Sequence, residues 1–107
     1  NKKKHNLIKK IEFLKDKGYV ICGIGAGAKA NTFLTYYNLN NQSVKFITDS
    51  SKFKQNKFTP LTRIQIKDDK EIKNYKKIAC IILSWNISNL LIKKIKKLNK
   101  NIKILNT

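Results

Sequence analysis

The sequence predicts a small α/β domain in which about four mainly parallel strands lie between helices on both faces. Two observations predict this class. Short continuous apolar runs, typical of strands buried on both faces, alternate along the chain with segments whose apolar residues recur every three or four positions. The length of 107 residues, of which 41% are hydrophobic, is enough for one domain with a modest core. Strands that alternate with helices pair in parallel through right-handed crossovers, so we expect a single three-layer, Rossmann-like domain over residues 1–107.

The elements of the first half follow from the spacing of the apolar residues. Apolar residues at helical spacing, with lysines between them, predict an amphipathic helix over residues 4–17 that Gly18 ends. The continuous apolar run at residues 19–22 predicts a buried strand. A second helical pattern follows at residues 28–37, and residues 44–48 form the next predicted strand.

The second half is interpreted in the same way. Residues 52–60 carry the single proline and no apolar period, which predicts a loop, and Ile64 and Ile66 suggest a short extended piece. The remaining elements are a short helix, a strand, an amphipathic helix and a strand, at residues 68–75, 78–83, 87–98 and 102–105. The short helix has acids in its first turn, where the helix dipole favours them.

The formal net charge of +18 at pH 7 predicts a strongly basic surface. Such a surface attracts small phosphorylated ligands. A nucleic-acid partner is the less favoured interpretation, because Arg63 is the only arginine and nucleic-acid readers rely on arginine for bidentate contacts. No apolar run approaches the roughly 20 residues of a membrane span, and the first residues of the sequence do not show the pattern of a signal peptide. We therefore expect a cytoplasmic domain with no membrane partner.

The residue types that carry catalysis or hold metals are sparse. Cys22 and Cys80 lie inside apolar strand-like runs, which predicts buried free thiols, and His5 is the only histidine. The sequence shows no nucleophile with a neighbouring base, no close pair of carboxylates and no metal-ligand set. The chain by itself therefore has the character of a binder, and we expect no catalytic residue, metal site or cofactor site in it.

The turn between the first strand and its helix is rich in glycine. It reads Gly-Ile-Gly-Ala-Gly-Ala-Lys-Ala-Asn over residues 23–31. Glycines such as Gly23 and Gly25 permit a tight turn and let backbone N–H groups approach a ligand oxygen. The helix N-terminus and Lys29 add positive charge. The pattern favours a phosphate-holding loop, although a tight turn without a ligand uses the same glycines.

Polar residues also follow the next strands at their carboxyl ends, where open parallel sheets bind ligands. Asp49 ends the second strand and either accepts hydrogen bonds from a ribose or caps a turn. Lys54 and Gln55 lie in the following loop, which is either a lid over ligand phosphates or a solvated basic loop. Trp85 follows the strand at residues 78–83 and either stacks on a base or covers the end of the sheet.

The order of these motifs resembles the C-terminal domain of the S-adenosylmethionine-dependent sugar-nucleotide C-methyltransferases. The shared pattern is Gly-x-Gly-x-x-x-Lys-x-Asn from residue 23, Asp-x-x-x-x-Lys-Gln from residue 49, Phe-Thr-Pro from residue 58 and Ser-Trp-Asn from residue 84. Together these stretches cover most of the chain. Two positions depart from the family pattern, because Leu61 stands in place of a glycine and Gln65 in place of a proline. We therefore expect a different conformation of this loop.

This resemblance implies that the chain is the C-terminal fragment of a longer transferase. In that family a zinc-binding region and a domain that binds S-adenosylmethionine precede this domain, so zinc, methyl donor and catalysis are expected outside it. The implied partners are the rest of the enzyme and a nucleotide sugar. The substrate-binding residues that the resemblance implies are Gly25, Lys29, Asn31, Asp49, Lys54, Gln55 and Trp85, to which the glycine-rich turn adds Gly23 and Ala26. A stand-alone NAD-binding module and, less favoured, a basic nucleic-acid-binding accessory domain stay open as alternatives.

Overall fold

The computed structural model of the chain describes residues 2–83 and 89–105. The helices of this part are α1 (Lys2–Asp16), α2 (Ala28–Tyr36), a 3₁₀ helix (Asp69–Asn74) and α3 (Asn89–Leu98). Its strands are β1 (Val20–Ile24), β2 (Phe46–Thr48), β3 (Gln65–Lys67), β4 (Ile78–Ile82) and β5 (Lys103–Leu105). These strands form one parallel sheet in the order β3-β2-β1-β4-β5.

The predicted α/β fold is confirmed, with five strands in the described part of the chain where about four were expected. The additional strand is β3, which corresponds to the short extended piece predicted around Ile64 and Ile66. It pairs in parallel with β2 and forms one edge of the sheet. The strand order places β1 between β2 and β4, so the crevice at which such sheets bind ligands lies at the carboxyl end of β1.

The sheet separates two apolar cores, one on each face. Because successive strand residues point to opposite faces, neighbouring residues of β2 belong to different cores. Ile47 packs in the core that contains Leu34 of α2, whereas Phe46 packs in the core that contains Ile95 of α3. All four side chains are fully buried. The predicted arrangement of three layers is therefore confirmed.

The predicted helices are present, with small shifts at their ends. Gly18 follows α1 with a φ of 89°, and the Tyr19 N–H donates to the Leu14 carbonyl at 2.9 Å, which closes the helix end. The short helix predicted at residues 68–75 is a 3₁₀ helix, capped by the side chain of Asp68. Among the described helices, none combines the length and the apolar character that crossing a bilayer requires.

Cys22 and Cys80 are free, buried thiols, as the sequence predicts. They lie opposite each other on β1 and β4, in the core beneath α3. Burial disfavours the charged thiolate, which raises the pKa of Cys80 to about 12 and the pKa of Cys22 well above its ordinary value. Both thiols are therefore protonated at neutral pH and are poor nucleophiles.

Candidate functional site

The glycine-rich turn leaves the carboxyl end of β1 and leads into α2. Gly25 has a φ of 93°, a left-handed conformation that favours glycine, and its N–H donates to the Thr48 carbonyl at 2.8 Å. Gly27 is the N-cap of α2 and contributes no side-chain hydrogen bond to the helix end. The N-terminus of α2 thus presents backbone N–H groups and partial positive charge without a side-chain cap.

Asp49 ties this turn to the loop that follows β2. Its Oδ2 accepts a hydrogen bond from the Ala26 N–H at 2.9 Å, and its Oδ1 accepts one from the Ser51 N–H at 2.8 Å. The second bond is the turn-capping contact that the sequence offered as one interpretation of Asp49. The first bond spans the two strand ends, so the carboxylate holds the glycine-rich turn in a fixed position beside β2.

The Asp49 carboxylate and its hydrogen bonds to the Ala26 and Ser51 N–H groups are called the Asp49 clamp below. Lys54 and Gln55 lie in the same loop and contact this clamp. The Lys54 ammonium donates to the Ala26 carbonyl at 3.2 Å and lies 3.9 Å from Asp49 Oδ2, while 45% of the side chain stays exposed. The Gln55 amide donates to the Asp49 carbonyl at 2.9 Å and to Asp68 Oδ2 at 3.3 Å. The loop therefore has defined contacts and places one ammonium group beside the turn.

The remaining predicted site residues are more dispersed. Lys29 is exposed in the first turn of α2. Asn31 is half-buried, and its Oδ1 accepts a long hydrogen bond from the Thr62 hydroxyl at 3.4 Å. Gly23 lies inside β1, buried against Leu83, and belongs to the sheet. Trp85 lies outside the described residues.

A cleft of about 250 Å³ opens between the glycine-rich turn, the end of β2 and α3. Its lining residues are Ile24, Gly25, Gly27, Thr48, Asp49, Ser50, Asp69 and Leu91. Asp69 is 5% exposed, and its Oδ2 is paired with the Lys94 ammonium at 3.1 Å. Thr48, Asp69 and Leu91 were not predicted as site residues. The available signal was the position of Thr48 directly before Asp49, at a strand end.

In the loop that departs from the family pattern, residue 61 has a left-handed backbone conformation, which favours glycine. Leu61 has a φ of 66° and is 87% exposed. Its backbone is held by its neighbours, because the Thr62 N–H donates to the Pro60 carbonyl at 2.6 Å and the Arg63 N–H to the Thr59 carbonyl at 3.0 Å. A leucine in this region pays a steric cost that glycine avoids.

We expect Leu61→Gly to be more stable than Leu61→Ala by about 1 kcal/mol. Both substitutions remove the same exposed side chain, but only glycine relieves the left-handed strain at residue 61. Urea denaturation of the two variants measures the difference. A more stable alanine variant would show that the backbone at residue 61 is not strained.

Metal ligands do not gather in the described part of the chain. Within residues 2–83 and 89–105, no group of three or more His, Cys, Asp and Glu side chains could hold an ion. The described residues therefore do not form a zinc site.

Comparison with known families identifies the chain. A family model described as the C-methyltransferase C-terminal domain matches residues 1–104. A comparison with curated proteins found no match. The family match extends over the helices, the parallel sheet and the glycine-rich turn described above. The resemblance inferred from the motifs is thus confirmed, and the chain belongs to the C-methyltransferase C-terminal domain family.

Proposed function

We propose that this domain binds a nucleotide sugar and orients it for methyl transfer to a carbon of the sugar. The observation that carries the proposal is the Asp49 clamp, which fixes the glycine-rich turn in front of the uncapped N-terminus of α2. The Gly25 and Ala26 N–H groups hold the turn in place, so the donors that we assign to a diphosphate are the first N–H groups of α2. Membership of a C-methyltransferase family supplies the reaction class.

Positive charge supports the proposed position of the diphosphate. Lys29 lies in the first turn of α2, and the Lys54 ammonium donates to the carbonyl of Ala26, just before that helix. Two lysines near a helix N-terminus attract an anion more strongly than the helix N-terminus alone. The net charge of +18 draws phosphorylated ligands to the protein in general.

The role of the domain in the reaction is orientation. Holding the diphosphate fixes the sugar relative to the reacting groups, which lowers the entropic cost of reaching the transition state. Methyl transfer also needs a donor, for which we propose S-adenosylmethionine bound by another part of the enzyme. We assign removal of the proton next to the keto group to a base in that other part.

Thermal-shift titration of the 107-residue chain tests the binding proposal. We expect UDP-glucose or dTDP-glucose to raise the melting temperature in proportion to the logarithm of ligand concentration above Kd, and NAD to have no such effect. Stabilisation by NAD with no effect of either sugar nucleotide would contradict the proposal and favour a dinucleotide-binding module.

Lys29→Gln should weaken binding of the sugar nucleotide about tenfold, because one charge-assisted contact to a phosphate is lost. Isothermal titration calorimetry with UDP-glucose or dTDP-glucose measures the change. Lys100→Gln is the matched control, because it removes the same charge from the exposed segment between α3 and β5. This segment precedes β5 and so lies at the amino end of the strand, away from the carboxyl ends that form the site. Equal losses in both variants would mean that the lysine acts only through the overall charge.

A further inference from the structure

The hydroxyl group of Thr48 is an exception among the buried polar groups. Thr48 is the last residue of β2 and is fully buried. Its Oγ1 has no hydrogen-bond partner among the described residues. Burying a hydroxyl without a partner destabilises a protein, so such a group in a folded domain calls for a physical reason.

The strand geometry places this hydroxyl in the wall of the cleft described above. Thr48 lies two residues after Phe46 and therefore points to the same face of the sheet, towards the 3₁₀ helix and α3. Asp69 of the 3₁₀ helix and Leu91 of α3 line the cleft on that face, together with Thr48. Thr48 is thus among the residues that line the cleft, and its buried hydroxyl becomes available to a molecule there only when a neighbouring side chain moves.

The acidic residues of the cleft make it less suited to a phosphate than to a neutral group, although each has a lysine nearby: the Lys54 ammonium lies 3.9 Å from Asp49 Oδ2, and the Lys94 ammonium lies 3.1 Å from Asp69 Oδ2. The side chains of Asp49 and Asp69 line it, whereas no lysine or arginine does so among the described residues. Asp69 is nearly buried, and its Oδ1 accepts no hydrogen bond from the described residues, since its partner Lys94 binds Oδ2. Carboxylates and a threonine hydroxyl suit a neutral group that donates hydrogen bonds, such as the hydroxyl of a sugar ring.

The size of the cleft limits what it encloses. A volume of about 250 Å³ is below the range of roughly 300–1,000 Å³ that encloses a whole drug-sized ligand. The cleft therefore has room for one ring of a larger molecule. The remainder of that molecule would extend past Gly25 and Gly27, which line the cleft and lead to the N-terminus of α2.

We propose that this cleft is a subsite for a hydroxylated ring of the nucleotide sugar, with Thr48 and Asp69 as its hydrogen-bonding residues. The inference rests on the proposed function. The diphosphate lies outside the cleft, at the N-terminus of α2, and the ring inside it is either the ribose or the sugar that receives the methyl group. In both cases a ring hydroxyl bonds to Thr48 Oγ1.

Two substitutions of Thr48 test this assignment by moving stability and affinity in opposite directions. Thr48→Val removes an unpaired hydroxyl at constant shape, so the melting temperature should rise by a few degrees. The affinity for UDP-glucose or dTDP-glucose should fall about tenfold. Thr48→Ser keeps the hydroxyl and removes a buried methyl group, so it should be less stable and bind like the unchanged protein.

Isothermal titration calorimetry with UDP or dTDP, which lack the sugar, shows which of the two rings occupies the cleft. If the ribose occupies the cleft, Thr48→Val lowers the affinity for UDP or dTDP as much as the affinity for the corresponding sugar nucleotide. If the sugar that receives the methyl group occupies the cleft, Thr48→Val lowers the affinity for the sugar nucleotide only. If the protein without the substitution binds these ligands and Thr48→Val binds them equally tightly, the subsite is overturned and the proposed function stands. Failure of the unchanged protein to bind any of them would overturn both.

Discussion

Asp49→Ala should be the most damaging single change at the surface of the domain, with a loss of about 3 kcal/mol in the free energy of unfolding. The carboxylate of Asp49 is 16% exposed and accepts hydrogen bonds from two backbone N–H groups. Hydrogen bonds to a charged group contribute about 1.5–3 kcal/mol each. Without the carboxylate, the Ala26 N–H also loses its partner across the gap between the strand ends.

The same substitution should weaken sugar-nucleotide binding more than Lys29→Gln does. In our proposal the clamp holds the turn in its binding conformation, and a turn that is no longer fixed must be ordered at the expense of affinity. Urea denaturation and calorimetry measure the two effects. Asp16→Ala is the control for net charge, because it removes an exposed carboxylate from the last residue of α1. We expect it to change the free energy of unfolding by less than about 0.5 kcal/mol.

An Asp49→Ala variant with unchanged stability would show that the two hydrogen bonds do not hold the turn. Unchanged affinity in a destabilised variant would separate the clamp from ligand binding. In that case the carboxylate would be a turn cap, with no part in the site.

Gly23→Ala should lower the free energy of unfolding by about 2 kcal/mol through overpacking. A Cβ atom at residue 23 would lie 2.6 Å from Leu83 Cδ1 and 3.1 Å from Ile47 Cγ1. Both neighbours belong to the core beneath α1 and α2 and are at most 2% exposed, so neither side chain has open space to move into. Thermal or urea denaturation measures the loss.

Gly27→Ala is the matched control for this prediction. Its Cβ would meet no atom within 4 Å, and its φ of −73° is one that alanine adopts readily. We expect a smaller loss, of about 0.5 kcal/mol, because alanine is a poorer N-cap residue than glycine. A Gly23→Ala/Leu83→Val double variant should lose less than the sum of its single changes, because the smaller side chain makes room for the added methyl group. Equal stability of Gly23→Ala and Gly27→Ala would contradict the packing at residue 23.

Much of the fold could be predicted from the sequence because its longer elements carry their own pattern. β1 and β4 are continuous apolar runs, and each main helix has an apolar stripe. β3 has only three residues, with Ile66 as its single buried member, so the alternation of Ile64 and Ile66 with polar residues indicated an extended piece but was too short to identify a strand of the sheet. Its place at the edge of the sheet depends on pairing with β2, which is a long-range property.

The site could be predicted only in outline. The carboxyl ends of parallel strands meet at one edge, which is why the glycine-rich turn and Asp49 were expected to be close. The bond between Asp49 and Ala26 joins residues 23 positions apart and depends on the exact path of two loops. The unpaired state of the Thr48 hydroxyl depends on every neighbouring element, so it is visible only in the folded chain.

In our proposal, the glycine-rich turn binds a nucleotide sugar. This binding is tested most directly by following the backbone amides of the ¹⁵N-labelled chain by NMR during titration with UDP-glucose or dTDP-glucose. We predict saturable shifts at Gly25, Gly27 and Lys29, with smaller shifts at Thr48. We predict no shift at Gly18, which precedes β1 and lies at the amino ends of the strands, away from the site. No shift with either ligand, or shifts that leave Gly25, Gly27 and Lys29 unchanged, would contradict the claim.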